Sequence, residues 1–148
     1  MEPRQIQLVQ ESFAKVLPIA DLAAEMFYKR LFETAPGLKS LFKGDMQQQG
    51  KRLMSMIAAA VRGLNDLDKL VPVVQQLGVR HQGYGVQDKD YAPVGAALLW
   101  TLEKGLGAAF TDDVKRAWTA VYGVLAETMQ DAARGAAPCS LGKAFASK

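Results

Sequence analysis

The sequence predicts an all-α protein of one domain, and three observations predict it. Apolar residues recur three or four apart almost throughout, alternating strand patterns are absent, and Pro or Gly punctuates the chain at helix length. The length, 148 residues, suits one domain. A chain of that size buries about 70% of its unfolded surface without covalent staples.

Each element has its own signal. Pro3 suits the first turn of a helix carrying Ile6, Val9, Phe13 and Val16, which Pro18 ends or interrupts. A second helix runs from about Ile19 to Thr34 with Leu22, Met26, Phe27 and Leu31 inward. Ala35-Pro36-Gly37 breaks it, and Pro36 starts a short helix through Leu38, Leu41 and Phe42. Lys43, Gly44 and Asp45 read as a loop. The next helix, from about Met46 to Gly63, aligns Gln49, Leu53, Ile57, Ala60 and Leu64. Asn65-Asp66 turns the chain into a helix whose stripe is Leu70, Val73, Val74, Leu77 and His81, and Gly83 and Gly85 suit its exit. Asp90 is the expected N-cap of a helix with Pro93 in its first turn and Tyr91, Val94, Leu98, Leu102 and Leu106 along one side. Thr111 caps the last helix, and Asp112 and Asp113 complement its dipole. Val114, Trp118, Val121, Tyr122, Leu125 and Met129 form the inner face. Periodicity stops at Gly135, so the expected domain is 1–134 and 135–148 is an expected flexible tail.

Composition excludes several function classes. Net charge is +3 and the basic residues are scattered, so no nucleic-acid partner is expected. The single cysteine, Cys139, rules out an internal disulfide and a CxxCH haem attachment, and it fits a reducing compartment. Glu2, Arg4 and Gln5 interrupt any leader. The longest uncharged apolar run, Ala92–Leu102, is far short of the ~20 residues of a membrane span. A cytoplasmic protein without membrane contact, monomeric by default, is the expectation. No nucleophile elbow of the GxSxG type occurs.

His81 is the only histidine. On an apolar stripe a lone histidine is commonly a satisfied core residue. A protein-only zinc site asks for three or four ligands. A porphyrin, by contrast, brings four nitrogens of its own, so one neutral imidazole completes the iron, provided the fold offers a wide apolar slot.

Here a resemblance enters. LGVRHQGYGV around His81, then YAPVGAALLWTLEKGLGAAFT and AWTAVYGVLAETM, resemble the second half of a globin, and FYKRLF, PGLKSLF and QQQGKRLM resemble the first half. The likeness is greatest to bacterial single-domain haemoglobins and neuroglobin-like globins, and it covers about Ile6 to Met129 in order and spacing. It implies the globin fold, a three-on-three helical sandwich, holding haem b without a covalent bond. His81 becomes the proximal iron ligand, its second ring nitrogen bonded to a carbonyl near Leu77. Phe42 matches the aromatic that globins pack against the porphyrin face, and Leu77, Val86, Val94 and Leu98 line the slot, plain helix packing being the alternative for these four. Tyr28 and Gln49 match the distal polar pair of bacterial haemoglobins, and Leu53 matches the apolar gate. Bound O2 is partly anionic, so two donors at ~1.5–3 kcal/mol each slow its escape by roughly two to four powers of ten. For Tyr28 a surface-directed hydroxyl and for Gln49 a solvent-facing register stay open. Arg52, and also Arg80, reach either a haem propionate or solvent.

Two departures from relatives matter. Many neuroglobins close the sixth iron site with a distal histidine where this chain has Gln49, so the ferrous site is expected to be five-coordinate. Flavohaemoglobins, which dioxygenate nitric oxide, hold the proximal histidine with a tyrosine and a glutamate; Tyr91 matches the first, but the second position falls at Ala133. Reversible O2 binding for storage, transport or scavenging is the leading expectation, with CO and NO as further ligands. A nitric oxide dioxygenase served by an external reductase, a gas sensor and a cofactor-free helical interaction module stay open beside it.

Overall fold

Proline and capping residues set the helix boundaries. Pro3 opens α1 (Pro3–Val16), where a missing N–H costs nothing, and Glu2 with Gln5 completes a capping box there. A 3-10 turn at Leu17–Ile19, holding Pro18, separates α1 from α2 (Ala20–Thr34). Pro36 begins the expected short helix, which is a 3-10 helix over Pro36–Leu41 with Phe42 at its end. The Asp45 carboxylate accepts the Gln47 N–H at 2.8 Å and caps α3 (Met46–Gly63). There follow α4 (Leu67–Gly83), α5 (Tyr91–Leu106) and α6 (Asp112–Ala133). Thr111 caps α6 as expected, its hydroxyl accepting the Val114 N–H at 3.2 Å. The computed structural model describes residues 2–42 and 44–135. Lys43, Cys139 and the expected tail beyond Gly135 lie outside the described residues.

Asp90 does not cap α5. Its backbone is already helical (φ −80°, ψ −18°), whereas an N-cap needs an extended one. Its carboxylate instead accepts the Gln87 N–H at 2.8 Å and closes a 3-10 turn, Asp88–Asp90, one step earlier.

The six helices form two layers. α1, α5 and α6 pack on one another, and α2, α3 and α4 follow each other in the second layer. Contacts of α2 with α5, α4 with α6 and α1 with α3 join the layers. The main core gathers Val9, Phe13 and Val16 of α1, Leu70 and Val74 of α4, and Val114, Trp118 and Val121 of α6. Inside it the Trp118 indole N–H donates to the Ser12 hydroxyl at 2.8 Å, so no buried polar atom is stranded there. A second cluster gathers Phe27, Tyr28, Leu31, Leu38 and Ala97, and Leu98 packs against both.

Two expected core residues are outside. Leu22 is 52% exposed and Val73 56% exposed. The buried arc of α2 runs through Ala23, Ala24, Phe27, Tyr28 and Leu31, and that of α4 through Leu70, Val74 and Gly78; each outlier sits one position off its arc. Gly78 sets how close α4 lies to α6. A Cβ there would stand 2.3 Å from the Met129 carbonyl oxygen, so only glycine admits the contact. No helix among the described residues is long and apolar enough to cross a membrane.

Candidate functional site

α2 supplies an aromatic cage. Tyr28 is buried, its ring edge-on to Phe27 at 5.2 Å, stacked on Phe32 at 5.9 Å and edge-on to Phe42 at 5.2 Å. The stacking on Phe32 follows from its i+4 position, one turn on along the same side of α2, whereas Phe27 is the adjacent residue and meets Tyr28 edge-on across the neighbouring arc. Phe42 arrives from the end of the 3-10 helix. Phe27 and Phe32 were not marked as site residues by the sequence, although the i+4 spacing of Phe32 from Tyr28 carries a signal for that contact.

The Tyr28 hydroxyl donates to the backbone carbonyl of Gln49 at 3.2 Å. Gly50 makes that reach available: a Cβ there would already meet the Ala24 Cβ at 3.0 Å, so α3 crosses α2 at close range. Tyr28 thus points toward α3, not toward the surface. Burial pushes its pKa up to about 12, so the phenol keeps its proton at neutral pH. Gln49 is half-buried.

The same cluster receives Leu53 of α3 and Val94 and Leu98 of α5, all half-buried. Five residues marked from sequence, Tyr28, Phe42, Leu53, Val94 and Leu98, therefore stand together. Leu77 and Val86 are half-buried too, yet among the described residues they join neither apolar cluster. They flank His81, one turn before it and in the loop after it.

His81 lies in the last turn of α4, half-buried. Its Nδ1 stands 2.8 Å from the Leu77 carbonyl oxygen. A carbonyl only accepts, so Nδ1 carries the proton in the neutral ring and Nε2 keeps its lone pair. Burial holds the imidazole below its ordinary pKa, the Leu77 bond opposes that, and the Arg80 guanidinium adds to it. The ring is thus biased neutral, tautomer fixed, one nitrogen ready to bind a metal. Among the described residues no three His, Cys, Asp or Glu side chains come together. His81 can therefore complete only a metal that brings most of its own ligands. Leu77 and Val86, half-buried on either side of it in the chain, are apolar, as the surroundings of an organic carrier of such a metal would need to be.

The neighbouring corner is tied to α6. Gln130 Nε2 donates to the Asp88 carbonyl at 3.2 Å, and Arg134 pairs with the Asp88 carboxylate at 2.7 Å. Tyr91 is buried, its carbonyl accepting the Tyr122 hydroxyl at 2.6 Å. Burial raises the Tyr91 pKa, and Asp88 and Asp90 add to the rise. Ala133, the last residue of α6, carries no carboxylate. Arg52 and Arg80 are both exposed.

Comparison with known proteins gives the family and the fold. The Globin family model matches residues 25–129. A flavohemoprotein of Bacillus subtilis is 28% identical over 130 residues, covering 86% of this chain and 33% of that protein. A flavohemoprotein of Bordetella bronchiseptica is 37% identical over 106 residues, covering 70% of this chain and 26% of that protein. The bacterial globin from Campylobacter jejuni superposes with a TM-score of 0.78 at 24% identity, over 90% of this chain and 97% of that one. The chain spans a third or less of the length of these curated relatives.

Proposed function

This chain belongs to the globin family, and from that premise we propose that it binds haem b through His81 and uses the site to hold O2 reversibly. The carrying observation is the 2.8 Å contact from His81 Nδ1 to the Leu77 carbonyl, which leaves Nε2 as an oriented, neutral metal ligand. When bound, haem supplies the iron at which a diatomic ligand docks. The chain supplies the rest. Leu77, Val86, Val94, Leu98 and Phe42 exclude water from the macrocycle. Leu53 closes the ligand side, and Tyr28 and Gln49 are its hydrogen-bond donors. With one histidine in the sequence, the chain would offer a bound haem no second imidazole on the side of Tyr28 and Gln49. Arg52 is the propionate partner in this reading.

A titration with hemin tests the assignment. The wild type is expected to take up one equivalent with a Soret band, and His81→Ala is expected to lose or alter that band. Colourless protein after titration refutes the reading.

A second reading, nitric oxide dioxygenation with an external reductase, draws support from the flavohemoprotein relatives and from Tyr91. The missing carboxylate at Ala133 weighs against it, because His81 then leans on a backbone carbonyl alone and pushes less charge toward the metal. The rate of the oxygenated protein with NO, followed by a search for a reductase that restores it, separates the two.

A further inference from the structure

The segment between α4 and α5 has little apolar burial to hold it. Tyr84 is 68% exposed, and Gln87, Asp88 and Lys89 are exposed too. Yet it bonds to His81 directly, because the Val86 N–H donates to the His81 carbonyl at 3.0 Å. We propose that Arg134 and Asp88 are positioning residues for His81: their ion pair fastens this segment to the end of α6 and so steadies the turn that carries the imidazole. The consequence for haem retention rests on the haem reading above.

Three observations carry it. The bonds from Tyr84, Gly85, Val86 and Gln87 are all local, each to a residue within the same turn or the one before it. The ties to Asp88 are different: Gln130 reaches its carbonyl at 3.2 Å and Arg134 its carboxylate at 2.7 Å, both from α6. The Arg134 guanidinium is also steadied before it meets Asp88. Its other terminal nitrogen pairs with Asp131, one turn earlier on α6, so the planar fork bridges two carboxylates from one pose. On its far side the segment meets a stop. A Cβ on Gly85 would stand 3.3 Å from Leu41 Cδ2, in the residue before Phe42. Pinned at Asp88 and stopped at Leu41, the segment keeps the Val86 N–H on the His81 carbonyl. Released at Asp88, it retains chiefly local turn bonds, and the last turn of α4 opens more often with His81 in it. The pair is 52% and 56% exposed, which keeps the effect modest.

The test compares wild type with Arg134→Met, which keeps an apolar stem and loses the charge, with Asp88→Asn, and with the double variant. Arg116→Met is the control, because Arg116 makes the same kind of exposed pair, with Asp113 at 3.4 Å, at the other end of α6. Two rates are read: amide hydrogen exchange at Val86 in the full chain without hemin, and hemin transfer from the loaded chain to an acceptor globin. Both are expected to rise by roughly three- to tenfold in Arg134→Met and in Asp88→Asn. The double variant is expected to go no further than Arg134→Met, since either change opens the same pair. Arg116→Met is expected to leave both rates as in wild type. Val86 exchange in Arg134→Met as slow as in Arg116→Met overturns the inference, and so does a double variant whose effects add. Faster exchange with unchanged hemin transfer overturns the positioning of His81. If wild type takes up no hemin, the haem reading falls, and the exchange rates alone decide whether Arg134 holds the segment.

Discussion

Replacing Gly78 by alanine moves the helix that carries His81, and the size of the effect follows from three distances. The added Cβ would lie 2.3 Å from the Met129 carbonyl oxygen, 2.6 Å from its Cα and 2.7 Å from its carbonyl carbon. Ordinary contacts begin near 3.4 Å, so α4 and α6 must separate by roughly 1 Å at this point. All three atoms are backbone, and none swings aside on a flexible side chain. Overpacking of this kind costs ~1–3 kcal/mol, with backbone clashes at the upper end, and the better helix propensity of alanine returns ~1 kcal/mol. The net loss is about 2 kcal/mol, or roughly 4–8 °C in Tm for a chain of this size. Gly83→Ala is the internal control. It lies on the same helix with nothing within 4 Å of its Cβ, so alanine there is expected to be neutral or slightly stabilising. Thermal unfolding of the hemin-free chain followed by circular dichroism reads both. Hemin transfer to an acceptor globin reads the consequence at His81, three residues on, and faster loss is expected for Gly78→Ala. A Gly78→Ala chain as stable as Gly83→Ala would show that α4 does not rest on Met129 as described.

Ser12→Ala strips the Trp118 indole N–H of its buried acceptor and is expected to cost ~1–3 kcal/mol in denaturant unfolding; a loss under ~0.5 kcal/mol would mean that the bond contributes little. The depressed His81 pKa gives a pH signature in the hemin-free chain. The unfolded imidazole takes a proton near pH 6.5 that the fold resists, so this contribution is full above 6.5 and is lost as pH falls through the lower folded value. His81→Gln is expected to flatten that slope, and an unchanged slope would assign it to other groups. Tyr28 has the opposite sign at the alkaline end. With its folded pKa near 12 against 10.0 unfolded, its contribution is full below pH 10 and disappears as pH rises through about 12. An ultraviolet titration of wild type minus Tyr28→Phe is expected to show no phenolate until well above pH 10.

Most of the helical frame was legible because its causes are local. Pro3, Pro18 and Pro36 mark starts and breaks through their fixed φ, and Thr111 caps α6 through a bond three residues long. The bond from His81 to Leu77 is likewise a one-turn contact that follows from helix geometry. What stayed hidden depends on how far apart helices lie. Whether Tyr28 meets Gln49 depends on Gly50 letting α3 close on Ala24, and no pattern along the chain states that distance. Val73 reads as core by spacing, but the arc that α4 buries is centred on α6 and leaves it out. Asp90 failed as a cap because the competing turn at Gln87 begins one step earlier.

That His81 has no second imidazole to share the spectrum with has a practical outcome. Label the histidine with nitrogen-15, and every ring signal belongs to this residue without assignment. The two nitrogen shifts read the tautomer directly: a protonated Nδ1 beside a bare Nε2 is the pattern that the Leu77 carbonyl imposes. One sample then monitors the ligand from the empty chain through hemin capture, at each pH, with no background to subtract.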